Sequence, residues 1–319
     1  MAATRLLRLV VAVGLTALVL YNANPAEVVR AAAQADLRWI SLAVALVLLD
    51  RTLMALRWMD LLAALTPGIR PRFPVVLRIF FVSSFVSNFV PSVAADMYRA
   101  YELARHDVHL AESTASVLMD RVLGVLSMVI VGVIALPFAQ DVVVRRGVAV
   151  GLAVAAAGCA VAALVVFSER AAMAVQRMTS AVPWMGVQRI AVSLTGAVRR
   201  YAHHHRELVR VLGMSILVQV IRILQAWCLG RSLSIDLPIS TYFAFIPIIV
   251  LVMQLPFTIN GLGTTQYAFE ALFVRAGVAA APTFALSVLF LALGMIGSLP
   301  GGLIYALSPA KPAPHGSSV

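Results

Sequence analysis

Between Arg78 and Arg121, charged side chains sit where hydrocarbon is expected. An apolar run from Ile79 to Val90 is interrupted by Asn88 and Pro91, and Asp96, Arg99, Glu102 and Arg105 follow at once, with Asp120 and Arg121 further on. Proline removes a backbone donor and breaks the helical ladder, which lipid permits only where protein or a water-filled cavity satisfies the freed groups. The stretch therefore reads as cavity lining. Arginine offers a planar fork of donors that holds a phosphate bidentately. Arg99 and Arg121 are the candidate binding cations of that lining, with Asp96 and Asp120 as their resting counter-ions. The same four residues also suit a structural salt-bridge cluster at the cytoplasmic surface, fastening this segment to the next helix.

A loose echo lies in the second half. The region from Thr241 to Val274 is long for one helix, and Pro247, Pro256, Asn260, Gly261 and Gly263 break it in the middle. After the break, Gln266-Tyr267-Ala268-Phe269-Glu270-Ala271-Leu272 parallels Met97-Tyr98-Arg99-Ala100-Tyr101-Glu102-Leu103. Asn260 and the amides near Gly261 and Gly263 could complete a polar cleft with Asn88. Between the two segments, Arg222 is flanked at three-residue spacing by Gln219 and Gln225, a polar stripe on an otherwise apolar helix. Cavity lining and interhelical hydrogen bonding fit that stripe equally well.

The elements that must carry these residues belong to a membrane. Hydrophobic residues make up 61% of the 319 and charged residues 12%, against roughly 25% charged in ordinary soluble domains. Mean hydropathy is +0.94. Several charge-free runs approach the ~20 residues of a spanning helix. The formal net charge of +11 is spread along juxtamembrane segments without aromatic interleaving, so no nucleic-acid partner is expected. One membrane domain, residues 1–307, and a short flexible cytoplasmic tail, residues 308–319, account for the chain.

Full spans are expected near 5–21, 37–65, 113–138, 147–168, 208–230 and 283–307. Asp50, Arg51, Arg57 and Asp60 fall within the second, where charge is costly enough to face a bundle interior and pair. Arg57 and Asp60, three apart, can meet on one face or snorkel to the cytoplasm. The arginines near residues 70–78 and 170–210 place both segments in the cytoplasm. Since two spans separate the second of these from the stretch around Asp96, residues 79–103 must enter and leave on one side. The expected fold is all-α: a polytopic helical membrane protein of about six full spans plus two broken re-entrant hairpins in an inverted-repeat-like arrangement. It sits in the inner membrane, with both termini cytoplasmic. Pro300, Gly301 and Gly302 are expected to loosen the last helix.

Asn88, Pro91, Asp96 and Arg99, then Asp120-Arg121, and later Leu255-Pro256 with Gly261-Leu262-Gly263, make the chain resemble the lysylphosphatidylglycerol synthase transmembrane region, or flippase-like, family. The resemblance covers nearly the whole chain. It implies handling or movement of lipids across a bilayer, either as a flippase-like transporter of an anionic or isoprenoid-linked lipid or as a non-transporting lipid-binding or scaffold subunit beside a lipid-modifying enzyme or glycosyltransferase. The resemblance also implies a phosphate-contacting role for Arg99 and Arg121. Two departures stand out: Ala94 and Ala95 replace glycines common before Asp96, and Gln266 replaces the usual Glu.

No enzymatic activity, cofactor or metal is expected. Only a dozen residues follow Leu307, too few for an aminoacyl-transferase domain. Hydroxyl residues such as Ser113, Ser116 and Ser215 lack a nucleophile-elbow setting or matched base. His203, His204 and His205 are consecutive and point in different directions on a helix, which suits a basic membrane-surface segment better than a ligand set. Cys159 and Cys228 are lone thiols that read as small packing residues.

Overall fold

The structure is a computed structural model, and it describes residues 35–66, 72–90, 92–106, 108–138, 142–180, 192, 195–254 and 263–307. Among them there is helix and no strand. The expected first helix at residues 5–21, Pro91, the break at residues 255–262 with Asn260 and Gly261, and the tail lie outside the described residues.

Helix α1, Leu37–Leu65, begins at Asp36, whose carboxylate accepts from the Arg38 amide at 2.9 Å. It has the bounds that its apolar pattern predicts. Helices α2, Phe73–Val86, and α3, Ser92–Ala104, follow, joined at the turn 87–90. Pro74 opens α2 in its first turn, where the missing N–H would have no helical partner anyway. Next come α4, Leu110–Ala135, α5, Val142–Phe167, α6, Glu169–Ser180, and α7, His205–Ser232. The chain ends with α8, Ile239–Met253, α9, Thr264–Phe269, a π turn Glu270–Val274, and α10, Ala280–Leu307.

Among the described residues, four helical segments are long and apolar enough to cross a membrane: Leu37–Leu65, Leu110–Phe138, Arg146–Phe167 and Ala280–Leu307. Helices α2 and α8 are shorter and apolar. On α5, Val150, Val154, Val161 and Leu164 are all more than half exposed. Such a face is stable against lipid, not water. The protein is a multi-pass, all-α membrane protein.

Ion pairs mark one end of the bundle. Arg200 meets Glu112 at 2.8 Å, Arg210 meets Asp60 at 2.9 Å, and the buried Tyr201 hydroxyl donates to the Leu61 carbonyl at 2.9 Å. Burial pushes the Tyr201 phenol well above its ordinary value, so it stays a donor. The C-terminal end of α1, the start of α4 and the start of α7 therefore lie together. Helices α2 and α3, packed on each other between α1 and α4 in sequence, leave and return at that end.

Two details differ from expectation. Asp60 pairs with Arg210 instead of Arg57, because Arg57 turns into the bundle. Pro247 lies inside α8 and Pro300 inside α10 without ending either helix; neighbouring packing supports both. The glycines of α10 make close contacts. A Cβ at Gly301 would collide with the Phe81 carbonyl of α2, and one at Gly302 would press on the Phe85 ring. Gly301 lies four residues after Gly297, whose missing side chain accommodates Val47 of α1, the small-residue spacing that lets helix backbones approach in lipid.

Gly301→Ala is expected to destabilise by about 1–3 kcal/mol through overpacking, whereas Gly213→Ala, with nothing within 4 Å, should be neutral or stabilising by up to about 1 kcal/mol. Thermal unfolding of the detergent-solubilised variants measures the contrast.

Candidate functional site

A cavity of about 260 Å³ opens between α1, the α2–α3 hairpin, α4, α7, α8 and α10. Its walls include Asn88, Asp96, Arg99, Asp120, Arg121 and Arg222, so six residues marked by their sequence pattern come together.

At its centre Asp120 is 4% exposed. Arg57 of α1 approaches Oδ1 through Nε at 2.9 Å and Nη2 at 2.7 Å, and Arg99 of α3 donates from Nη2 to Oδ2 at 3.1 Å. Arg57 Nη1 also donates to Ser215 Oγ of α7 at 3.1 Å. The Arg99 guanidinium lies 4.6 Å from the Trp58 ring centroid and 5.6 Å from that of Phe80, a cation–π arrangement that favours charge in a desolvated site. Trp58 Nε1 in turn donates to Ser116 Oγ at 3.0 Å.

Arg121, one residue on, joins α3 to the residue that follows α8. Its Nε donates to Asp96 Oδ2 on α3 at 2.7 Å, and its Nη1 donates to Gln254 Oε1 at the end of α8 at 3.2 Å. Asn88 holds the hairpin turn against α10 by donating to Ser298 Oγ at 2.7 Å. On the α1–α7 wall, Arg222 lies 3.5 Å from Asp50, and Gln219 and Gln225 line the same surface.

Three of the five cavity arginines were not candidate contacts from the Asp96–Arg121 pattern: Arg51, Arg57 and Arg222. Arg222 was visible from its glutamine stripe, and the charges inside α1 signalled Arg51 and Arg57, although not their partners. Gln254 was missed. Its only signal is that it follows the fifteen-residue apolar helix α8 directly before Leu255-Pro256.

Two candidates sit elsewhere. Gly263, at φ 81°, starts α9 and its amide donates to Gln266 Oε1 at 2.7 Å. Gln266 thus serves the helix start, and with Glu270 it lines a separate pocket bounded by Ala280, Ala281 and Phe284. Pro91, Asn260 and Gly261 lie outside the described residues. The three histidines diverge: His204 Nδ1 lies 3.0 Å from the Arg200 carbonyl, while His205 stacks on Phe167. Among the described residues no group of three His, Cys, Asp or Glu side chains could hold a metal ion.

Compared with known protein families, residues 5–301 match the lysylphosphatidylglycerol synthase TM region. The chain belongs to that family. No curated protein and no solved structure matches it. Membership in this lipid-linked membrane family agrees with the ordered motifs at both breaks, and those motifs now have places: Asp96, Arg99 and Asp120-Arg121 in the cavity wall, and Gly263 at the start of α9.

Asp120→Ala is expected to cost about 3–5 kcal/mol, since it strands two buried cations. Arg105→Ala breaks only the partly exposed 3.3 Å pair with Glu102 and should change stability by less than about 1 kcal/mol. Size-exclusion profiles and melting curves in detergent distinguish these outcomes.

Proposed function

We propose that this protein moves an anionic or isoprenoid-linked lipid across the bacterial inner membrane, its headgroup passing through the arginine-lined cavity while its chains stay in lipid. The supporting observation is the cavity itself: a charged interior at the meeting of two broken segments, bridged by Arg121 between Asp96 and Gln254. A phosphate entering hydrocarbon needs its charge compensated and its oxygens hydrogen-bonded, and forked arginines meet both needs. In this reading the two segments form an inverted pair of re-entrant hairpins, the usual setting for a midplane transport site. The clustered Arg199, Arg200 and Arg210 mark the cytoplasmic end, with both termini on that side. The protein acts as a carrier, not an enzyme, and uses no metal or cofactor.

A second reading rests on the tight Arg57–Asp120–Arg99 triad, which suits a static staple. The protein would then be a non-transporting lipid-binding or scaffold subunit beside a lipid-modifying enzyme or glycosyltransferase.

Purified protein in liposomes with fluorescent phosphatidylglycerol or a labelled isoprenoid-linked lipid separates the two. Transport predicts quenching beyond the outer-leaflet half, reduced at least about tenfold by Arg121→Gln, a loss of transition-state stabilisation of about 1.4 kcal/mol. Rates equal to those of empty liposomes for every lipid, with and without an imposed potential or proton gradient, would favour the static subunit.

A further inference from the structure

We infer that the headgroup accepted by this cavity carries two negative charges, as in a phosphomonoester lipid or a lipid diphosphate esterified at both ends, instead of the single charge of a phosphodiester. The inference rests on the lipid-path reading above.

The cavity wall contains Arg51 and Arg57 of α1, Arg99 of α3, Arg121 of α4 and Arg222 of α7. Against these five stand three acids: Asp50 of α1, Asp96 of α3 and Asp120 of α4. Helices α2, α8 and α10 contribute only uncharged residues to the wall, and no histidine or lysine lines it. Arginine stays protonated across the accessible pH range. With the aspartates ionised, the lining residues carry a formal excess of two positive charges. Asp120 is shared by Arg57 and Arg99, Asp96 faces Arg121, and Asp50 faces Arg222.

Arg51 forms no ion pair within 4 Å among the described residues. It reaches the Gly294 carbonyl at 3.4 Å and Met54 Sδ at 4.0 Å. Its Nε, Arg99 Nε and Gln225 Nε2 are buried donors without hydrogen-bond acceptors, and Asp50 Oδ1, 3.5 Å from Arg222, is a buried acceptor without a hydrogen-bond donor. Uncompensated positive charge around one cavity calls for an anion, because charge out of water is costly unless it is paired. A phosphodiester supplies one charge and leaves one cation uncompensated. A phosphomonoester supplies about −1.5 to −2 at neutral pH and removes the excess.

The test uses the full chain in liposomes containing tail-labelled phosphatidic acid or tail-labelled phosphatidylglycerol, so that both headgroups are unmodified. At pH 8, phosphatidic acid should cross at least about tenfold faster, each tenfold corresponding to about 1.4 kcal/mol. The ratio should shrink at pH 5, where the phosphomonoester has lost most of its second charge. Arg222→Gln, which lowers the excess to one, should bring the ratio towards unity. Asp96→Asn, which raises the excess to three, should increase it. Equal or faster movement of phosphatidylglycerol by the wild type at pH 8 overturns the inference while leaving a lipid path standing. So does a ratio that Asp96→Asn leaves unchanged. If neither lipid outruns empty liposomes, the lipid-path reading fails and the inference with it. Release of entrapped inorganic phosphate without lipid movement would assign the cavity to a soluble anion and overturn both.

Discussion

The interior of this protein depends on one carboxylate. Asp120 stands in a bundle whose outer surface is apolar, where an ion without a partner is far more costly than in water. Its compensation comes from two other helices, α1 through Arg57 and α3 through Arg99, and Arg57 continues to Ser215 on α7. One charge therefore fixes the relative positions of α1, α3, α4 and α7 more sharply than packing of interchangeable apolar side chains could. The arrangement also leaves room: the guanidinium groups that hold Asp120 line open space, with Trp58 and Phe80 beside Arg99.

Aromatic packing steadies the other side of that space. Phe273 contacts Tyr242, Phe245 and Phe269, and Phe269 contacts Phe290, tying the segment after the second break to α8 and α10. Against this apolar block the short polar link from Arg121 to Gln254 is notable for its direction. It runs from the helix that holds Asp120 to the end of α8, so one helix carries both the charged centre and the contact to α8.

Much of this was legible in the sequence because hydrocarbon imposes strong rules. Length and a predominantly apolar composition gave α1 at its observed bounds despite its four internal charges, and gave the later long helices to within a few residues. The first break was legible because Asn88 interrupts an apolar run. Pairing was harder to read. Arg57 and Asp60 are one turn apart, yet each finds a partner far along the chain, Asp120 and Arg210, because the alternatives sit on neighbouring helices that spacing within one helix does not reveal. Gln254 left little trace, being one polar residue at the end of a charge-free helix. Gln266 carries the opposite lesson: its side chain serves the local start of α9 at Gly263, so a position in a motif need not face the shared space.

The contact of Gly301 with Phe81 reaches beyond stability. Where two backbones touch through a missing side chain, they cannot slide or rotate past each other without first separating, and Asn88 bonded to Ser298 adds a lock beside the seam. Helix α10 and the arm α2 are therefore held along one seam, and a displacement of either would have to break that seam or carry the other helix with it.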